Sequence, residues 1–157
     1  MRIALGSDHR GFAVKQRLAS VLVKSGFEIV DLGVSSGEGS ADYPDFAIPV
    51  SEAVGHGDVQ KGILICGTGF GMCIAANKVH GVRAVTCRDP IEAEMSRRHN
   101  DANVLCMSAD FLGLDLIDRM VNIWLATEFE GGRHQRRVEK ITKYEENGCK
   151  DTGCKKS

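Results

Sequence analysis

The sequence predicts an α/β fold of the Rossmann-like kind, a three-layer sandwich with a five-stranded parallel sheet between helices. Three observations carry this prediction. Short apolar, strand-like runs alternate with helix-periodic segments along most of the 157-residue chain. One run, Gly62–Cys66, is almost continuously apolar, as a strand buried on both faces requires. No internal repeat and no linker divides the chain, so one domain over residues 1–146 is expected, followed by a polar tail, 147–157.

Each element has its own signal. Arg2–Gly6 reads as the first strand. Val14, Leu18, Val21 and Leu22 recur at helical spacing, and Gly26 ends that helix. Phe27–Leu32 is the second strand, and the Gly- and Ser-rich stretch Ser35–Tyr43 is a loop. Pro44–Val54 can form a helix, Gly62–Cys66 is the third strand, and a helix starts near Met72. Val82–Cys87 and Asn103–Met107 are two further strands, with the helix Pro90–His99 between them and Pro90 in its first turn. Leu114, Ile117, Val121, Trp124 and Leu125 mark a strongly amphipathic helix. Arg133 to about Glu146 is the last helix, with Val138 and Ile141 on its inner face, and the tail after it is expected to fray.

Composition removes several classes. Apolar residues make up 43% and charged residues 26%, and the net charge of −1 supplies no basic field for nucleic acid or an anionic membrane. The longest apolar runs are far too short to span a bilayer. The N-terminus has neither a long apolar stretch nor a small-residue cleavage site, so a cytoplasmic address is expected. Six cysteines are present, and no two have the two-residue spacing of a zinc knuckle or a redox motif. Cys66, Cys87 and Cys106 sit in apolar stretches, where a reduced thiol packs as a small hydrophobe; Cys149 and Cys154 lie in the polar tail with no evident role.

In parallel sheets ligands bind outside the carboxyl ends of the strands, and four segments place polar residues near strand or helix ends. Cys66-Gly67-Thr68-Gly69-Phe70-Gly71 follows a buried strand and precedes a helix. Its alternating glycines allow the backbone to approach an anion closely, or simply make a tight turn. It is not a nucleotide loop, because Met72 stands where a dinucleotide fingerprint needs its third glycine, and no Gly-Lys-Ser/Thr closes a Walker loop. The same Met72 replaces the arginine that a cysteine phosphatase requires. Cys66 is either a buried strand-end cysteine or a thiol made reactive by the field of the helix start. Asp8 caps the first helix or binds hydroxyls, beside His9. His99, in Arg97-Arg98-His99-Asn100-Asp101, caps carbonyls or donates a proton. Arg133 and Arg137, one turn apart after Gly131-Gly132, form a solvated basic face or a clamp for a phosphate dianion.

Together these pieces resemble the type B ribose-5-phosphate isomerases, in the family that also holds the galactose-6-phosphate isomerase subunits. The resemblance runs from Ile3 to about Tyr144, through Gly-Ser-Asp-His-Arg-Gly-Phe (6–12), Asp-Tyr-Pro-Asp (42–45), Gly-Ile-Leu-Ile-Cys-Gly-Thr-Gly-Phe-Gly-Met (62–72), Ala-Ala-Asn-Lys (75–78), Arg-His-Asn-Asp-Ala-Asn (98–103) and Glu-Gly-Gly-Arg-His-Gln-Arg-Arg-Val (130–138). It implies interconversion of ribose 5-phosphate and ribulose 5-phosphate through an enediolate, without metal or other cofactor. In the branch with a cysteine at position 66 and no glutamate at 72, Cys66 is the base. His99 then assists ring opening, the backbone of Gly67, Gly69, Phe70 and Gly71 with Thr68 holds the oxyanion, and His9, Arg133 and Arg137 hold the phosphate. Asp8 and Asn100 would bind hydroxyls, and Tyr43 would line the site. The family implies a homodimer or homotetramer with the site at the subunit interface and a C-terminal helix reaching the partner. Trp124 serves either that contact or the core. Relatives often carry arginine where this chain has Asp110, and an acidic group there would repel phosphate unless it pointed away. Galactose, allose or tetrose phosphates are therefore alternative substrates, and a non-catalytic sugar-phosphate sensor is a third reading.

Overall fold

The computed structural model describes residues 1–151; residues 152–157, Cys154 among them, lie outside the described residues. Strands β1 (Arg2–Ser7), β2 (Glu28–Asp31), β3 (Lys61–Cys66), β4 (Ala84–Thr86) and β5 (Val104–Ser108) form one parallel sheet in the order β2-β1-β3-β5-β4. Helices α1 (Phe12–Lys24), α2 (Pro44–Gly55), α3 (Phe70–Ala76), α4 (Pro90–Asn100), α5 (Leu114–Ala126) and α6 (Arg133–Asp151) alternate with them and follow them. The expected five-stranded sheet is present.

The side-chain alternation of the strands divides the core in two. Ile3, Leu5, Ile63, Ile65, Leu105 and Met107 face α1, α4 and α5, meeting Leu18, Leu22, Ala93, Ile117 and Trp124. Ala4, Leu64, Val104 and Cys106 face α2 and α3, meeting Ala47, Val50, Met72 and Ala76. Trp124 is fully buried, so its role is core packing and not a subunit contact. A buried cation ties the β2 edge to α1. The Lys15 Nζ reaches both Asp31 carboxylate oxygens at 2.6 Å and the Val34 carbonyl at 3.0 Å.

The element boundaries differ from the sequence reading by more than one residue in three places. Helix α3 begins at Phe70 rather than near Met72, because Gly69 takes a left-handed φ of +81° and turns the chain straight into it. Strand β4 is three residues long, since it lies at the sheet edge and pairs only with β5. Helix α6 runs beyond Glu146 to Asp151. Of its side chains, His134 and Val138 are buried against the chain's own α4 side, and Glu145 accepts the Gly81 N–H at 3.1 Å.

β1 has β2 on one side and β3 on the other, so the chain winds off in opposite directions there. That reversal opens a crevice at the carboxyl ends of β1 and β3, the place where α/β sheets hold ligands.

Candidate active site

Cys66 is the last residue of β3 and opens onto this crevice, 5% exposed. Its Sγ accepts the Gly69 N–H at 3.1 Å, a donor that stabilises negative charge on sulfur. The turn is clamped from the β5 side. Ser108 Oγ and the Asp110 N–H donate to the Gly67 carbonyl at 2.5 and 3.2 Å, and the Ala109 N–H donates to the Cys66 carbonyl at 2.9 Å. Thr68 Oγ1 accepts the Phe70 N–H at 3.3 Å. The N–H groups of Gly67 and Thr68 carry no protein acceptor among the described residues. A side chain on Gly71 would lie 2.7 Å from the Tyr43 ring, so Tyr43 covers the first turn of α3. Another thiol near the loop, Cys73, points onto β4, its Sγ 3.4 Å from the Ala84 carbonyl.

At the end of β1, Asp8 Oδ1 accepts the N–H groups of Arg10 and Gly11 at 3.0 and 3.1 Å, so it pins the turn before α1 rather than capping the helix, whose N-cap, Gly11, has no side-chain cap bond. Its Oδ2 takes no protein donor among the described residues. His9 Nδ1 accepts the Ala41 N–H at 3.1 Å, which leaves Nε2 to donate when the ring is neutral. Asp110 corrects the expectation of a bare repelling charge. It stays at the loop, and Arg10 pairs with it at 2.6 Å. The structure thus gathers Asp8, His9, Tyr43 and the whole turn from Cys66 to Gly71 at one edge of the sheet.

The remaining predicted residues gather elsewhere. His99 and Asn100 end α4, just before β5 begins, and the Asn100 carbonyl accepts Arg83 Nε at 3.2 Å next to the start of β4. They lie at the amino edge of the sheet. With strands rising about 3.3 Å per residue, the two ends of a six-residue strand are roughly 16 Å apart. His99 stacks on His134 there, ring centroids 4.2 Å apart, with its Nε2 3.7 Å from Glu130. Arg133 Nε donates to His134 Nε2 at 3.3 Å, and exposed Arg137 follows one turn later. Burial first, then His99 and Arg133, holds the His134 imidazole below the usual histidine range. His99, Glu130 and His134 bring ligand atoms within 4.8 Å of one another, but Arg133 on His134 and Arg98 3.6 Å from Glu130 already place positive charge there.

Sequence reasoning missed Arg10, Ser108 and Glu130 as members of these clusters. Arg10 follows Asp8-His9 directly, a signal that could have found it. The partners of Ser108 and Glu130 are distant in sequence, and no local pattern announces them. A hollow of about 260 Å³ adjoins the loop, lined by Thr68, Phe70, Thr86, Arg88, Ser108 and Phe111 among others. It falls below the roughly 300 Å³ at which ligand pockets usually begin.

Residues 3–141 match the model of the ribose/galactose isomerase family. The chain is 50% identical to ribose-5-phosphate isomerase B of Escherichia coli, over 92% of its own length and 97% of that protein. A solved ribose-5-phosphate isomerase B from Clostridium thermocellum superposes with a TM-score of 0.91 at 49% identity, covering 94% of this chain and 99% of that one. The Mycoplasma genitalium enzyme, solved with bound ribulose-5-phosphate, superposes with a TM-score of 0.89 at 44% identity, covering 92% and 96%. With this match over nearly its whole length and a glycine turn headed by cysteine at the sheet's switch point, the chain belongs to the ribose/galactose isomerase family.

Proposed function

We propose that the chain interconverts ribose 5-phosphate and ribulose 5-phosphate through an enediolate, with Cys66 as the base. The observation that carries this reading is the Cys66 thiol, held by the Gly69 N–H beside the N–H groups of Gly67 and Thr68, which have no acceptor among the described residues. As the thiolate takes the C2 proton, negative charge builds on O1. Pre-aimed backbone donors stabilise such an oxygen by roughly 3 kcal/mol each. The thiol returns the proton to C1, and the hydroxyl proton passes from O2 to O1. Asp8 Oδ2 and His9 Nε2, without a partner among the described residues, would meet a hydroxyl and the phosphate.

The site takes its second half from another copy of the chain. His99, which would open the sugar ring, and Arg133 and Arg137, which would grip the phosphate, lie at the opposite sheet edge from Cys66. Exposed Phe70, Ile74, Ile91 and Phe111, each more than half exposed, are the apolar surface such a contact would cover. A homodimer sharing two sites, with α6 reaching the partner, accounts for both facts.

The test is exchange of the C2 proton of ribose 5-phosphate in heavy water. The wild type exchanges it, and Cys66→Ala slows exchange by about 10³-fold. Absence of both exchange and ketose formation in the wild type defeats the isomerase reading. An unchanged rate in Cys66→Ala removes the thiol as base.

A further inference from the structure

An ion pair outside the residues assigned above lies across the loop. Asp8 pins the turn after β1, and from that turn Arg10 reaches over the end of β3 to Asp110, two residues past β5. Arg10 Nη2 and Nε both donate to Asp110 Oδ2, at 2.6 and 3.1 Å. A side chain on Gly67 would lie 2.8 Å from Arg10 Nε and 2.9 Å from Asp110 Oδ2, so the pair rests on the first residue of the glycine turn. Both side chains remain open to solvent there, at 56% and 31% exposure.

A carboxylate in this place opposes any anion entering the turn, and like charges at close range in a half-shielded site repel strongly. Arginine keeps its charge through the whole physiological pH range. The pair is therefore neutral wherever the substrate's phosphate is doubly charged.

We propose that Arg10 is a positioning residue that cancels the charge of Asp110 at the loop entrance and so admits a doubly charged phosphate ester. The proposal rests on the isomerase reading for its substrate. The competing role is mechanical, a strap that merely holds Gly67. The two roles separate when both charges are removed. The backbone N–H of residue 110 holds the Gly67 carbonyl whatever its side chain, so the loop clamp survives substitution.

The experiment compares Arg10→Ala, Asp110→Ala and the double variant by steady-state kinetics on ribose 5-phosphate and by calorimetric titration with inorganic phosphate. Arg10→Ala is expected to raise KM about tenfold with kcat within about twofold, because the lost interaction acts on binding. The double variant is expected to return KM to within about threefold of wild type, and added salt to shrink the Arg10→Ala defect. An unchanged KM in Arg10→Ala, or a double variant as impaired as Arg10→Ala, overturns the proposal. Arg10→Met, which keeps the aliphatic stem, replaces Arg10→Ala if that variant fails to fold. If the wild type proves inactive on sugar phosphates, the isomerase reading fails separately. The phosphate titration then decides alone: weaker binding by Arg10→Ala that the double variant restores upholds the shield, and equal binding by all forms ends it.

Discussion

At Gly69 one backbone angle serves two ends. Its φ of +81° starts α3, and the same conformation aims its N–H at the Cys66 sulfur. Alanine there would adopt a strained left-handed conformation and also press on the Met107 carbonyl, 3.2 Å from its methyl group. Gly69→Ala is expected to lower stability by about 1–3 kcal/mol, read from the urea midpoint, and to slow C2 exchange along with it. An exchange rate that survives the substitution would detach the turn from the chemistry. Much of this residue scale was legible in the sequence, because glycines alternating after a buried strand have few uses. Asp110 was not. Its meaning depends on Arg10, a hundred positions away, and no spacing rule links them. The loop therefore reads from the sequence as a place, whereas its charge balance reads only from the structure.

The elements followed from periodicity wherever burial is two-sided or strongly one-sided. β1, β3 and β5 are continuous buried runs, and α5 carries an unbroken apolar stripe. The ends were harder, since β4 stops where edge pairing stops and α6 continues past its last apolar residue. α6 docks through His134, which is 5% exposed and stacked on His99. Its lowered pKa means that the unfolded chain binds more protons than the folded one in mild acid. The stability gained by docking the neutral His134 ring is thus present above the ordinary histidine pKa of about 6.5 and is lost as pH falls below it. Hydrogen exchange should show protection of the first turns of α6 falling as pH is lowered from 7 toward about 5. His134→Gln should flatten that dependence; the same dependence in His134→Gln would contradict it.

Across the whole molecule, alternation of strand and helix announced a parallel sheet but not its order. The order β2-β1-β3-β5-β4 locates the crevice at β1 and β3 and sends α4 and α6 to the far edge. Residues that resemblance assigned to one site therefore stand at two ends of one chain. The central claim is that Cys66 and His99 act together across two copies. Mixing inactive Cys66→Ala with inactive His99→Ala tests it most directly. Equal mixing after subunit exchange gives mixed dimers for half the population, each with one intact site, so C2 exchange should recover to about a quarter of the wild-type rate. A mixture that stays as inactive as its components would place the two residues in separate functions and contradict the shared site.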